Sequence, residues 1–584
     1  MNKRVLKLVL IWIGLSFIAI MFGLAIIFKF TNHYRPSIYN YESYLAPSII
    51  NKLEKNYNYK EFKEISEFTQ ALTQDKAIAG VGSDFQAAQL ILDKKIRKID
   101  FSKVLGEENK DWTKRKKLYT QNVQDHLESF DFLIYNKLEK MSEEERKKRG
   151  FEINKNLKRW RSIDKNNQTE WDHFYDYIIP YFAQDKGIAY NINKTSRPHL
   201  KVDSPEIQDL ENKSLELDWM QIFSVLKENK YERVAWTNAY VDNLMIGAIN
   251  YMYEKPDEWK KVFTTDNGKL FEFTEDNYKI AIDSFIHFVE KVSGASIKDT
   301  SHNFLSGDGL ELLNHVIEPK SSRSDSGVIY NGDALDAYYS EDNYSSVEEG
   351  TIRFIRPKFN YVLVDCWIIS HKLSDEDTDN FLTSLKEHVY FNNSHFLNNK
   401  SIQDGLHDLE KDFFEVLKEN LNAEVISNTK KVLKSIFDNE RQGVIEALNK
   451  NDKFKLVNWN DFFNWKNQIN KFLSNDTIGD YWTWLEIVRN NSDEGYALFE
   501  DAFNDTFTNY HFAELANFDY ISYTPADKLT YKFIEKWYFG NDEIAKSIYS
   551  QPAASSTYQL FTYPIIDNNL RTKIAAYYYE RTRS

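Results

Sequence analysis

The chain has 584 residues, of which 42% are hydrophobic and 15% aromatic, and it carries a formal net charge of -14 at pH 7. This length predicts two to four domains, and the apolar fraction is large enough for full-sized cores, which argues against a disordered chain. The negative charge disfavours a general nucleic-acid binder and favours the attraction of cations. The single cysteine, Cys366, excludes an internal disulfide.

The N-terminus carries the strongest local signal. Lys3, Arg4 and Lys7 precede an uninterrupted apolar run over residues 8–28. The run is long enough to span a bilayer as a helix, and the bulky residues that end it argue against cleavage as a signal peptide. The basic residues before it favour a cytoplasmic N-terminus. We therefore predict that residues 1–36 form a cytoplasmic stub and an uncleaved anchor. This makes the chain a single-pass protein of the cell membrane with its large domain on the extracytoplasmic side.

Beyond the anchor, short strand patterns alternate with helical ones. Strands are predicted at residues 37–39, 77–81, 96–100, 177–182, 187–190, 234–236, 328–330, 352–355 and 362–364. Helices are predicted after Pro47 and over residues 85–92, 219–226, 243–253 and 278–292, and Ser374 with Asp377 is a plausible capping box for a further helix. The last three predicted strands are expected to belong to one sheet system.

Two stretches depart from this pattern. Residues 106–170 contain dense runs of mixed charge, which predict helices with solvated faces; the alternative is a docking surface for a partner or for lipid headgroups. Residues from about 393 to 510 are helical in pattern and rich in aromatic side chains. The helix-like spacing of these side chains predicts core packing in an added helical subdomain and involves Trp459, Phe462, Phe463, Trp465 and Phe472.

Six short motifs that combine aromatic residues with acidic or small polar ones are spread along the chain. In order, they are residues 39–44 (YNYESY), 82–85 (GSDF), 237–242 (TNAYVD), 330–334 (YNGDA), 364–367 (VDCW) and 521–525 (ISYTP). Carboxylates bind ammonium groups through charge-assisted hydrogen bonds, and aromatic faces contact methylene groups and attract cations. The set therefore suggests a cleft that holds a flexible cation between aromatic faces and carboxylates.

The motifs and their order resemble those of bacterial periplasmic spermidine/putrescine-binding proteins of the PotD type, which are type II solute-binding proteins of ABC importers. The resemblance covers about residues 37–101, 171–394 and 517–584, with the two insertions between them. It implies an α/β protein with the two-lobe type II periplasmic-binding-protein fold, to which this chain adds the helical insertions and the N-terminal transmembrane helix. It also implies a polyamine ligand, spermidine or putrescine.

The first two motifs carry the predicted binding residues of one lobe. Tyr41 stands where the family has a tryptophan, and Tyr44 stands where the family has a tyrosine; both aromatic residues line the ligand in that family. Ser83 matches a family serine at the cleft, and Phe85 stands at the place of a family tyrosine, so the phenol is lost. The resemblance thus implies aromatic walls at three of these positions and a small polar contact at Ser83.

The remaining motifs supply the carboxylates and further walls. Asp365 matches the main amine-binding aspartate of the family, and Asp242 falls at the place of a family glutamate. Tyr330 stands for the aromatic residue of a Trp-x-Gly-Asp-Ala motif, and Tyr523 stands for a late family tyrosine. A family glutamine near the C-terminus has no clear counterpart, although Thr562 and Tyr563 are nearby. The resemblance implies ammonium contacts for the two aspartates and wall contacts for the two tyrosines.

Two residues of the family pattern are missing. Ala239 replaces a second acidic residue, and Leu363 replaces an aromatic one two positions before the main aspartate. Either the ligand differs, the affinity is lower, or neighbours such as Asn238, Asp84 or Asp333 compensate. Of these, Asp333 is expected to cap a helix.

The domain limits expected from the resemblance are residues 37–185 and 361–522 for lobe 1, and residues 186–360 and 523–584 for lobe 2, with the insertions inside the two parts of lobe 1. The lobes would close on the ligand by hinge motion. The closed form would then dock on permease subunits that are powered by separate ATPase subunits, and no contact with nucleic acid is expected.

Other function classes remain open. The chain has no phosphate-binding loop, no Gly-x-Ser-x-Gly motif and no His-Glu-x-x-His motif, so we expect no ATP hydrolysis, cofactor or metal on this chain. Paired carboxylates among Asp242, Asp333 and Asp365 could serve a glycosidase. A membrane-anchored extracellular hydrolase is therefore the alternative, and a surface adhesin is a third class.

Overall fold

The computed structural model describes residues 12, 14–18, 20–23, 35–163, 170–265, 270–340, 344–390, 401–420, 500, 502–540 and 542–583. The aromatic residues predicted to form the core of a helical subdomain, 459–472, lie outside this part of the chain, as does much of the apolar run 8–28. In the described part of that run the large apolar side chains, from Trp12 to Phe22, are exposed. No helix within the described residues is both long and apolar enough to cross a membrane.

A ten-stranded mixed sheet forms the frame of the molecule. Its strands are β1 (Ser37–Tyr41), β2 (Asn58–Phe62), β3 (Ala79–Ser83), β6 (Ile178–Asn191), β7 (Val234–Thr237), β10 (Asn303–Ser306), β11 (Ser326–Tyr330), β12 (Ile352–Ile355), β13 (Phe359–Ile369) and β14 (Gln559–Thr562). Two hairpins lie outside it and consist of β4 (Phe151–Asn154) with β5 (Arg159–Ser162), and β8 (Thr264–Thr265) with β9 (Leu270–Phe271).

Two long strands join the halves of this sheet. The strand order is β10-β7-β11-β6-β13-β3-β1-β2, with β12 beside β6 and β14 beside β13. We call β1–β3, β13 and β14 the first half and β6, β7 and β10–β12 the second half. Strands β1, β2 and β3 are parallel to one another, as are β7, β10 and β11. The central strands β6 and β13 are antiparallel to each other. All fourteen residues of β6 are buried, which is typical of a strand covered on both faces.

Helices connect most of the strands and cover the sheet. Their bounds are α1 (Pro47–Leu53), α2 (Ile65–Thr73), α3 (Asp84–Leu92), α4 (Phe101–Leu105), α5 (Trp112–Arg115), α6 (Gln121–Lys140), α7 (Glu143–Lys148), α8 (Pro205–Gln208), α9 (Trp219–Glu228), α10 (Tyr240–Glu254), α11 (Trp259–Phe263), α12 (Tyr278–Ser293), α13 (Gly309–Ile317), α14 (Asn331–Tyr338), α15 (Asp375–His388), α16 (Ile402–Asn420), α17 (Ala513–Ile521), α18 (Lys528–Trp537), α19 (Glu543–Tyr549) and α20 (Asn568–Thr582). The prediction of an α/β protein is confirmed, since parallel strands followed by helices recur in both halves.

Three predicted elements differ from the structure. The two strands predicted at 177–182 and 187–190 are one strand, β6, because the polar residues between them are buried within the sheet. Residues 96–100 form no strand and contribute one isolated bridge, from Ile96 to Ser370. The charged residues 155–161, predicted as helical, fall in the hairpin β4–β5. Inward-facing Phe151 and Trp160, each 1% exposed, give this hairpin the alternation of a half-buried strand.

Candidate functional site

Four of the eight predicted site residues lie where parallel strands end. Tyr41 is the last residue of β1, Ser83 is the last of β3, and Tyr330 is the last of β11. Asp242 lies in the first turn of α10, which follows β7. Open α/β sheets bind ligands at the carboxyl ends of their strands, because the loops and helix N-termini that follow the strands diverge there. The motifs of both halves of the sheet therefore occupy the usual place for a binding site.

Asp365 is a buried carboxyl group that has no ion-pair partner among the residues that the structure describes. It lies on β13 opposite Ser83 and is 2% exposed. The hydroxyl of Tyr44 donates to Oδ2 over 2.7 Å, and the hydroxyl of Ser83 donates to Oδ1 over 3.4 Å. Burial raises the pKa of Asp365 to about 7; the hydrogen bond from Tyr44 opposes this rise, and nearby Asp84 adds to it. Tyr41 completes this group, with its hydroxyl 3.1 Å from that of Ser83.

An irregularity in the sheet marks the same position. Along the β13–β6 pairing, Asp365 is opposite Phe182 whereas Cys366 is opposite Pro180, so Tyr181 is an extra residue on β6. Proline cannot donate to a sheet ladder and is found at bulges in central strands, and a bulge re-aims the side chains beside it. The bulge therefore breaks the regular ladder directly beside Asp365.

A second buried carboxyl group supports this region from behind. Asp84 is 0% exposed and accepts the backbone N–H groups of Phe85 and Val364, the latter over 2.8 Å. Its Oδ2 also lies 2.5 Å from Nε2 of His126 on α6. Helix α6 belongs to the stretch 106–170, so this insertion contributes to the wall of the site through a buried face. Sequence reasoning missed His126, because a single histidine in a charged helical stretch gives no sign of its partner.

Asp242, by contrast, is paired with a cation of the chain. Lys186 of β6 places its Nζ 2.9 Å from Oδ2 of Asp242, and the hydroxyls of Tyr563 and Tyr330 donate to the same carboxylate. Asp242 is 5% exposed and Lys186 is 1% exposed. Sequence reasoning missed Lys186 and did not assign Tyr563. The sequence did contain an indication that Lys186 is paired. Asp185 and Lys186 lie inside an apolar stretch, and charged residues in a buried strand require partners.

Aromatic contacts link the two groups. The ring of Tyr44 meets that of Tyr523 edge-to-face at 5.1 Å between centroids, and Phe85 meets Tyr563 at 5.3 Å. The hydroxyl of Tyr523 donates to Asp333, in the first turn of α14, over 2.5 Å. Burial raises the pKa of Asp333, and this hydrogen bond opposes the rise. All eight predicted residues thus belong to one network of contacts that spans both halves of the sheet.

The position of Gly332, in the motif YNGDA, leaves no space for a side chain. A Cβ atom on Gly332 would lie 2.3 Å from Cδ1 of Tyr523 and 2.7 Å from Oε1 of Gln184. The backbone N–H of Gly332 donates to that same Oε1 over 3.0 Å. Any side chain at this position would therefore displace the Tyr523 ring, which lies against Tyr44.

Ala239 and Leu363, the two positions that depart from the family pattern, contribute no polar side-chain contact in the structure. Ala239 is the residue before α10 and offers no side-chain cap. Leu363 lies half-buried on β13 and packs against the hydrophobic core. Neither position is filled by another carboxylate or ring in the contacts described. Tyr41, Tyr44, Tyr330 and Tyr523 are all half-buried residues.

Comparisons with known proteins find structural likeness only. No protein-family model and no curated protein matches the chain. A putative spermidine/putrescine ABC transporter from Listeria monocytogenes is 13% identical, with 61% of this chain and 79% of that chain covered and a TM-score of 0.34. The spermidine/putrescine substrate-binding protein PotD from Streptococcus pneumoniae is 12% identical, with coverages of 64% and 80% and a TM-score of 0.35. A Thermotoga lettingae ABC transporter solute-binding protein bound with alpha-D-tagatose is 10% identical, with coverages of 60% and 77% and a TM-score of 0.36. Likenesses at TM-scores this low carry no argument about the ligand.

Proposed function

We propose that this chain is an extracytoplasmic solute-binding protein of an ABC importer that captures an organic ammonium ion between the two halves of its sheet. The observation that carries the proposal is Asp365, a buried carboxyl group that has hydroxyl donors but forms no ion pair within the described part of the chain. Half-buried tyrosine rings stand beside it. An ammonium ion supplies the charge that this carboxylate lacks.

The chemistry of such a complex follows from the surroundings of Asp365. A bound ammonium group stabilises the carboxylate and so lowers the pKa of Asp365 below its raised value in the free protein. Aromatic faces that flank the ion add roughly 0.5–2 kcal/mol per well-stacked ring. Polyamines, the ligand class implied by the sequence resemblance, consist of ammonium groups and methylenes and are the first ligands to test.

As part of an importer, the chain would have two lobes, a surface for a permease and a membrane tether. The two lobes would have the limits 37–185 and 361–522 for the first, and 186–360 and 523–584 for the second. Closure over the ligand would form the surface that a permease pair recognises, and ATP hydrolysis would take place on other subunits. The apolar run 8–28 would tether the chain to the cell membrane.

The hydrolase alternative finds less support in the same contacts. A glycosidase requires two carboxyl groups that both reach the substrate. Asp84 is fully buried and accepts hydrogen bonds from two backbone N–H groups, and its Oδ2 lies beside His126. Asp242 is held by Lys186 and two phenols. Asp333, the third candidate carboxyl group, accepts the hydroxyl of Tyr523. The two carboxyl groups that could pair with Asp365 in a glycosidase are thus both engaged by other side chains of the protein.

The experiment is a thermal-shift titration of the full-length chain with spermidine, putrescine and n-butylamine. We expect at least one amine to raise the melting temperature saturably, since ligand at about one hundred times its dissociation constant stabilises a protein by about 2.7 kcal/mol. Asp365→Asn should abolish the shift. Asp172→Asn, at an equally buried aspartate outside the site, should keep it. Absence of a shift with all three amines would refute the proposal.

A further inference from the structure

Lys186 is an unusual residue for the middle of a sheet. It lies on the central strand β6, opposite Tyr330 of β11, and is 1% exposed. A buried ammonium group is costly unless it is paired and hydrogen-bonded. Its Nζ meets three groups: a carboxylate oxygen of Asp242 at 2.9 Å, the hydroxyl of Thr237 at 3.0 Å, and the ring of Tyr330 at 3.6 Å from the centroid.

These contacts are the ones that a ligand ammonium would need. A carboxylate supplies the opposite charge, a hydroxyl supplies a further acceptor, and an aromatic face adds cation–π attraction. Asp242 and Tyr330 are two of the residues that the sequence predicted to contact a ligand. In the structure both of them already contact an ammonium group, and it belongs to the protein.

The carboxylate of Asp242 has little capacity left for a second cation. Lys186 takes Oδ2, Tyr563 donates to Oδ1, and Tyr330 lies within 3.3–3.4 Å of both oxygens. The first turn of α10 adds the favourable field of a helix N-terminus to the same charge. The charge of Asp242 is therefore neutralised by Lys186, whereas no described lysine or arginine forms an ion pair with Asp365 in the other half of the site.

We propose that Lys186 is a built-in ammonium group that fills the Asp242 position, so that the site accepts a monoamine on Asp365 and discriminates against diamines. The inference rests on the proposed function and narrows its ligand class. A second ammonium group extended from Asp365 towards Asp242 would meet a neutralised carboxylate and the like charge of Lys186, which is unfavourable. The rest of the ligand is then uncharged and lies against rings such as Phe85.

The test compares putrescine with n-butylamine, which has the same carbon chain and one ammonium group fewer. Calorimetric dissociation constants are measured for the full-length wild type, Lys186→Met and Lys279→Met. Lys279 is the matched control, because its exposed ammonium also lies over an aromatic ring, that of Tyr577, but outside the site. We expect wild type and Lys279→Met to bind n-butylamine about tenfold tighter than putrescine, and Lys186→Met to bind putrescine about tenfold tighter than wild type does.

Removal of Lys186 leaves Asp242 buried and unpaired, so a second variant guards against misfolding. Lys186→Met/Asp242→Asn has no charge at this position and should keep the preference of wild type for n-butylamine. Tighter binding of putrescine than of n-butylamine by wild type would overturn the inference while leaving the proposed function intact. The inference would also be overturned if the ratio of the dissociation constants of putrescine and n-butylamine were the same in wild type and in Lys186→Met. If wild type binds neither amine, the inference fails, and the proposed function fails as well if spermidine also does not bind.

Discussion

Asp365→Asn should stabilise the ligand-free protein at neutral pH. The carboxyl group is 2% exposed, and burial raises its pKa from 3.8 to about 7. In the unfolded chain this carboxyl group ionises near its ordinary pKa. At a pH between the unfolded and the folded pKa, folding therefore requires the carboxylate to take up a proton. Stability contributed by the protonated group is complete below the unfolded pKa and is lost as pH rises towards the folded pKa. A shift of about three pKa units corresponds to about 4 kcal/mol.

The asparagine side chain avoids this loss. Its amide oxygen can still accept the hydroxyl hydrogen bond of Tyr44, and its amide nitrogen can donate to Ser83. The assay is urea unfolding of wild type and variant, each followed by tryptophan fluorescence across the pH range from about 4 to about 8. We expect the variant to gain up to about 4 kcal/mol over wild type at the upper end, and the gain to vanish near the lower end. A variant that is less stable than wild type at both ends would refute the assignment of a raised pKa to Asp365.

Three further changes probe the surroundings of this carboxyl group. Tyr44→Phe removes the hydrogen bond that lowers the pKa of Asp365, so the pH at which the loss of stability levels off should rise above about 7; an unchanged levelling-off pH would contradict the contact. His126→Leu leaves a buried carboxylate without its imidazole partner and should cost roughly 1–3 kcal/mol in urea unfolding, whereas a neutral effect would show that the insertion does not support the site. Gly332→Ala should displace the Tyr523 ring, because its Cβ would lie 2.3 Å from that ring, and so weaken amine binding in calorimetry; full affinity would argue against a wall role for the ring.

The ordered motifs predicted much of the site because strand ends impose proximity. Tyr41 and Ser83 end neighbouring parallel strands, and Asp365 lies opposite Ser83 within the antiparallel strand β13. Once the motifs were assigned to strand ends, the sheet itself brought them together. Position in the motif order was therefore sufficient for these residues. Tyr44 lies in the loop after β1, whereas Tyr523 follows helix α17, so the contact between their rings depends on how that helix packs.

The partners of the carboxylates were not predictable in the same way. Lys186 lies in an apolar stretch that reads as two short strands, and nothing in its local sequence indicates that it meets Asp242. That contact depends on the register of β6 against β11, which long-range packing decides. His126 depends likewise on how α6 packs behind β3. The hairpin at 151–162 was misread because its charges obscured the alternation of Phe151 and Trp160.

The central claim is that Asp365 binds the ammonium group as a carboxylate, and proton release tests it most directly. With a pKa of about 7, Asp365 in the free protein is roughly nine-tenths protonated at about pH 6. Calorimetric titration with n-butylamine in buffers of different ionisation enthalpy counts the protons released on binding. We predict release of roughly 0.9 proton at about pH 6 and almost none at about pH 8.5. Binding without proton release at the lower pH would contradict the account.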